Sequence, residues 1–194
     1  MEHNEISFMD TKIKVNQTFT AQDMLGQEYE GVEFRNCVFA SLRGVDLICC
    51  RFVNCDLSNI DVMNSGMQDV TFLDCKIIGV NFFEANDFGF SVDFIDSVLD
   101  FCGFENMKIN KSTFSGCRIH GTSFRGADLS KAKMSKCDLL STEFSATNIS
   151  GLDFTSCTNI TMDLSLNKVK KTKFSSASLG GLLSHFDIII QEAK

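Results

Sequence analysis

The side chains that could do chemistry are unevenly supplied: nine Cys stand beside only three His in 194 residues. Nine thiols could form disulfides, hold a metal or act as nucleophiles, and their spacing decides among these. The count is odd, and neither a Cys-x-x-Cys pair nor a zinc-type Cys/His spacing occurs. This argues against a disulfide framework or a metal knuckle and leaves reduced, buried thiols as the expectation. His3, His120 and His185 are too scattered for a Ser-His-Asp or Cys-His relay. Cys49-Cys50 is the one adjacent pair, and only Cys49 is expected to face outward. Glycine-rich phosphate loops and basic-aromatic nucleic-acid signatures are missing. The residues therefore point to no enzyme, no cofactor, no metal and no direct nucleic-acid partner.

What must position the remaining side chains is legible in an odd composition: 19 Phe with one Tyr, no Trp and no Pro. Phe used this way is a filler of space and not a surface aromatic. The hydrophobic share of 44% and charged share of 22% are those of a folded globular chain, and the length suits one domain. The start Met1-Glu2-His3-Asn4-Glu5 has no signal-peptide character, and no apolar run approaches membrane-span length, so a cytoplasmic protein with no membrane partner is expected. The net charge of -7 is polarised. Residues 15–105 hold 15 acidic and 4 basic side chains, whereas residues 106–173 hold 5 acidic and 11 basic ones. Such polarity suits a binding surface for something charged.

An apolar residue recurs at every fifth position from Phe94 through Leu99, Phe104, Ile109 and onward to Phe154, with Leu164, Val169 and Phe174 continuing the register beyond Asn159. A second run from Leu47 to Phe82 keeps the period in another register, and Phe34 with Phe39 form a third. Two residues before the centre the side chain is small or compact, and eight of the nine Cys occupy this slot. Neither helix nor ordinary strand has a period of five. Taken four at a time, the centres give a twenty-residue superperiod. One wall then reads Phe39, Val62, Phe82, Phe104, Phe124, Phe144, and the opposite one Phe52, Phe72, Phe94, Phe114, Met134, Phe154, Phe174. Phe34 falls with Leu57 and Ile77 on an aliphatic wall, and Cys55, Cys75, Ser97, Cys117, Cys137 and Cys157 form one ladder.

Segments such as Ala127-Asp128-Leu129-Ser130-Lys131 and Cys55-Asp56-Leu57-Ser58-Asn59 resemble the pentapeptide repeat family over residues 32–174. The resemblance implies an all-β fold: a right-handed quadrilateral β-helix of about seven coils, closed by a short C-terminal helix and strand. It divides the chain into an N-terminal arm and irregular first coil (1–31), the β-helix (32–174) and a C-terminal cap and dimerisation segment (175–194). The ending Lys170-Lys171-Thr172-Lys173-Phe174-Ser175, then Gly181-Leu182-Leu183 and Asp187-Ile188-Ile189-Ile190, is similar to the subgroup protecting DNA gyrase and topoisomerase IV. That subgroup comprises quinolone-resistance, albicidin-resistance and microcin-immunity proteins, and its acidic dimeric rods are proposed to mimic duplex DNA. The resemblance thus implies a gyrase or topoisomerase IV partner; a general interaction scaffold is the alternative.

Partner contacts are expected where the repeat breaks. The first break, Ala40–Val45, reads as a three-residue insertion that contains Arg43 and Gly44. The second, between Phe82 and Phe94, inserts two residues and offers Phe83, Glu84, Asp87, Phe88 and Phe90, with Phe101 nearby. Asp87 occupies a centre slot and is expected to turn outward or to be hydrogen-bonded by backbone at a bulge, because burying it unpaired is costly. At the C-terminus, Ser175–Phe186 reads as a helix and Asp187–Gln191 as a strand. Leu179, Leu182, Leu183, Phe186, Ile188 and Ile190 exceed what one cap needs, which predicts a homodimer joined end to end.

Overall fold

A computed structural model describes residues 12–189 and 191. The five-residue period becomes a four-sided parallel solenoid because each pentapeptide spans one wall and turns one corner. The centre points in, its neighbours point out, and two residues later the chain turns through left-handed backbone. Asn36, Asn54, Asn59 and Asn64 take this corner with φ of 51° to 57°, a conformation Asn tolerates better than most residues. The carboxylate preceding a centre holds the turn: Asp56 accepts from Ser58 N–H at 3.0 Å and Asp153 from Thr155 N–H at 3.0 Å. Thr155 and then Lys173 hold the Asp153 carboxyl down at about 2.

One wall carries seven parallel strands in strict register, from Lys12–Val15 and Val32–Arg35 to Thr113–Ser115 and Lys133–Ser135. Down this wall Phe34 pairs with Phe52, then Phe72, Phe94, Phe114 and Met134. The opposite wall stacks Phe82, Phe104, Phe124 and Phe144 with ring centroids 4.8, 5.1 and 5.4 Å apart. The two stacks meet edge to face, as in Phe94–Phe104 (5.9 Å, 80°) and Phe114–Phe124 (5.6 Å, 87°), the geometry aromatic quadrupoles prefer. This herringbone is the core.

The first break differs from the sequence reading. It shortens the coil instead of bulging from it: Leu42 turns in three residues after Phe39, and Leu42 and Val45 are fully buried. Phe34 therefore lies on Phe52 (4.9 Å, 17°), and Phe39 lies on Phe19 (4.9 Å, 9°), so both belong one wall away from their expected places. An inserted and a shortened coil disturb the register alike, and only packing tells them apart. The second break does bulge. Asp87 is exposed there, and Phe90 fills the gap with its ring 6.3 Å from Phe82.

The C-terminal cap is smaller than expected. Ser176–Ser178 is a 3-10 turn and Leu179–Leu182 a single helical turn, with Leu182 buried against the last coil. The strand over Asp187–Gln191 does not form across Asp187–Ile189: Ile188 N–H turns back to the Phe186 carbonyl, leaving no ladder partner.

The corrected register adds Cys37 to the thiol ladder. Four ladder thiols donate to the carbonyl of a Phe centre one coil earlier: Cys55 to Phe34 (3.4 Å), Cys75 to Phe52 (3.5 Å), Cys117 to Phe94 (3.3 Å) and Cys137 to Phe114 (3.5 Å). Donation of its S–H to Cys55 as well, together with burial, keeps the Cys75 thiol far above the ordinary range, and burial pushes Cys102 up to about 12. Cys49 alone among the nine is exposed. Native protein treated with N-ethylmaleimide at pH 7.5 is therefore expected to gain one adduct by intact mass, and nine after denaturation. More than one rapid native adduct would contradict the ladder.

Candidate functional site

Both breaks open on the same corner of the rod. Gly44 N–H donates to the Met63 carbonyl, and Asn64 N–H one coil on donates to the Glu84 carbonyl at 2.9 Å, so Arg43–Gly44 and the second break lie two coils apart on one edge. Arg43 bonds Asp61 at 3.0 Å, an exposed pair that fixes orientation more than it stabilises. At the second break Phe88 is 88% exposed, its N–H held by Asn86 Oδ1 at 3.0 Å. On one side it borders a shallow groove with Glu28, Asp46 and Gln68; on the other, Phe83, Asp87 and Glu105 line a second hollow. Glu84 is half-buried, and Phe90, turned inward, is withdrawn from the surface set.

Phe101 sits on the next corner, 67% exposed, with φ of +57°. The equivalent corner position is Asn59, Gly79, Gly121 and Ser141 in other coils, so a bulky aromatic there is an outlier costing about 1–3 kcal/mol of strain. Its ring lies over Gly121, where an added Cβ would come within 2.8 Å of two ring carbons, and the Phe83 ring covers Gly103 in the same way. Glycine one coil further on is what lets each ring lie flat.

Beside Phe101 runs a charged network that the sequence reading missed. Asp100, only 7% exposed, accepts from Arg118 Nε and Nη2, which satisfies a carboxylate that would otherwise be buried at high cost. His120 Nε2 stands 2.8 Å from Asp138, which also accepts from Asn159 at 2.6 Å. The signal was present as charged residues 18 to 20 apart, yet it has meaning only once the coil length is known.

At the C-terminal end Leu179, Phe186 and Ile188 are exposed, Leu183 is half-buried, and Leu182 is spent on its own chain. Ile190 lies outside the described residues. His185 pins the segment to Asp163 at 3.4 Å. Among the described residues no group of three or more His, Cys, Asp or Glu is placed to hold a metal, and no helix is long and apolar enough to cross a membrane.

Two family models match the chain, together over more than half of it: "Pentapeptide repeat region" at residues 107–183 and "Pentapeptide repeats (8 copies)" at residues 30–61. None of the curated proteins matches it in sequence. Among solved structures, the fold is similar to two trypsin-treated variants of QnrB1, a plasmid-mediated fluoroquinolone resistance protein. Each is 20% identical, with TM-scores of 0.61 and 0.62, and each match covers 93% of this chain and 98% of that one. Full-length QnrB1 gives 19% identity and a TM-score of 0.55 over 92% and 98% of the two chains.

Proposed function

The chain belongs to the pentapeptide repeat family, and on that premise we propose that it is a non-enzymatic protein that binds DNA gyrase or topoisomerase IV and gives tolerance or immunity to a gyrase-directed antibiotic or toxin. The observation that carries the reading is the end-to-end likeness of fold: 93% of this chain lies on 98% of a fluoroquinolone resistance protein. The acidic residues 15–105 form the DNA-like part of the rod, and the corners bearing Arg43, Gly44, Phe83, Glu84, Asp87, Phe88 and Phe101 meet the enzyme. Exposed aromatics at strained or bulged corners supply the apolar anchors a protein interface needs. Leu179, Phe186 and Ile188 join two such rods end to end in the cytoplasm.

Binding of purified gyrase to the immobilised protein tests this. Wild type is expected to bind at low micromolar concentration or below. Phe88→Ala combined with Phe101→Gly should weaken binding at least tenfold, because each removes an exposed anchor worth about 2 kcal/mol. Phe101→Gly should at the same time leave the fold as stable or more so, since Gly relieves the left-handed corner. Unchanged affinity in the double variant would remove these corners from the interface, and capture of a different cellular partner with no gyrase would favour the general scaffold.

A further inference from the structure

Residues 106–173 carry 11 basic side chains, and the fold gathers eight of them, all Lys, along one edge of the rod. The ladder places Lys108, Asp128, Asn148 and Lys168 in one column. Lys111, Lys131 and Lys171 follow at the adjoining turn, with Lys170 beside them. Lys133 then pairs with Thr113, and Lys173 with Asp153, on the neighbouring wall. All eight are exposed, and among the described residues Lys173 alone has a carboxylate within salt-bridge distance, Asp153 at 3.1 Å. Against Asp128 and Asp153 the edge keeps six positive charges.

We infer that this lysine edge binds the phosphate backbone of a nucleic-acid duplex without regard to sequence. Three observations favour that occupant. The side chains between the lysines are small, Ser130, Asn148, Ser150 and Gly151 among them, and large exposed apolar residues stand only at the margins of the edge, Leu166 at the corner before Lys168 and Phe88 in the coil before Lys108. A protein partner needs apolar or aromatic anchors, whereas phosphates need only cations and small donors. Single strands are held by aromatic stacking, which this edge lacks. Repulsion from the acidic half falls on the near end of the edge: Asp93 lies two coils from Lys133, about 10 Å at strand spacing, whereas Glu28 and Glu30 lie about seven coils from Lys168, roughly 34 Å and several Debye lengths at physiological salt. The sequence carries no basic-aromatic signature, which excludes a nucleic-acid partner on sequence grounds, whereas the lysines, dispersed over 66 residues, meet only in the folded coil.

Fluorescence anisotropy with a labelled 30-base-pair duplex of arbitrary sequence tests the inference, using the full chain from 20 to 200 mM salt. Saturable binding is expected at the low-salt end, its logarithm falling with log salt at a slope of about -4 to -6, as for five or six phosphate contacts. Lys131→Gln with Lys133→Gln and Lys171→Gln should flatten the slope by about 3 and cost at least tenfold at low salt, with the melting temperature unchanged. Arg125→Gln, an exposed cation on another wall, should change the affinity less than twofold. No binding at 20 mM salt would overturn the inference, as would a triple variant that binds like wild type. So would tighter binding of a single strand, or of polyglutamate, than of the duplex. None of these readouts involves gyrase, so the edge and the topoisomerase reading can fail separately.

Discussion

Phe94→Ala is expected to destabilise the protein by about 3–5 kcal/mol, the range for truncating a fully buried Phe. Phe94 has no exposed surface and takes part in four aromatic contacts at once: stacked on Phe72 (5.4 Å) and Phe114 (5.3 Å), and edge-on to Phe82 (5.5 Å) and Phe104 (5.9 Å). In a solenoid each coil is supported only by its neighbours, so a hole in a middle coil weakens two interfaces. Phe174, half-buried and stacked on Phe154 alone, should cost clearly less when cut to Ala. Urea unfolding followed by far-ultraviolet circular dichroism measures both, since the chain has no Trp and one Tyr. Equal losses would mean that the aromatic stack is not what couples the coils.

The second large effect belongs to the cap. A Cβ at Gly181 would lie 1.8 Å from the Ile160 carbonyl oxygen and 2.9 Å from its carbon, which is backbone and cannot yield cheaply. Gly181→Ala should therefore lift the helical turn Leu179–Leu182 off the last coil and uncover Leu182, Ile160 and Met162, all now buried. Overpacking of this kind costs about 1–3 kcal/mol. Gly180 is the internal control: a Cβ there meets nothing within 4 Å, so Gly180→Ala should be neutral or stabilise the helix by up to about 1 kcal/mol. Hydrogen exchange over residues 176–183 separates the two variants. Faster exchange confined to Gly181→Ala is the expected pattern, and identical protection in both would place the cap elsewhere. If the ends also join two rods, Gly181→Ala should raise the dimer dissociation constant as well.

Much of this was legible because the repeat is short and strict. The centres from Phe94 to Phe154 identify themselves by spacing, and the cysteine slot follows from the room left beside a Phe in a narrow coil. What was not legible has a common physical cause: it depends on which residues stack, and stacking depends on coil length. Leu42 reads as part of an insertion until Phe34 is seen on Phe52. Phe90 looks like one of a surface group, yet Asp87 cannot be buried and vacates a place that Phe90 takes. The pairing of Asp100 with Arg118 and the lysine edge both require the twenty-residue offset before they exist as sites. Asp187–Gln191 reads as a strand in the sequence, but a strand also needs a neighbour's edge, which Ile188 does not find.

Gyrase binding and protection are tested together by a supercoiling assay with and without a panel of gyrase poisons, titrating the purified protein. The protein is expected to alter supercoiling, or to restore it in the presence of at least one poison, at low micromolar concentration or below, and the Phe88→Ala, Phe101→Gly variant to do so at least tenfold less well. Wild-type protein with no effect on gyrase, alone or against any of several poisons, would contradict the proposed function.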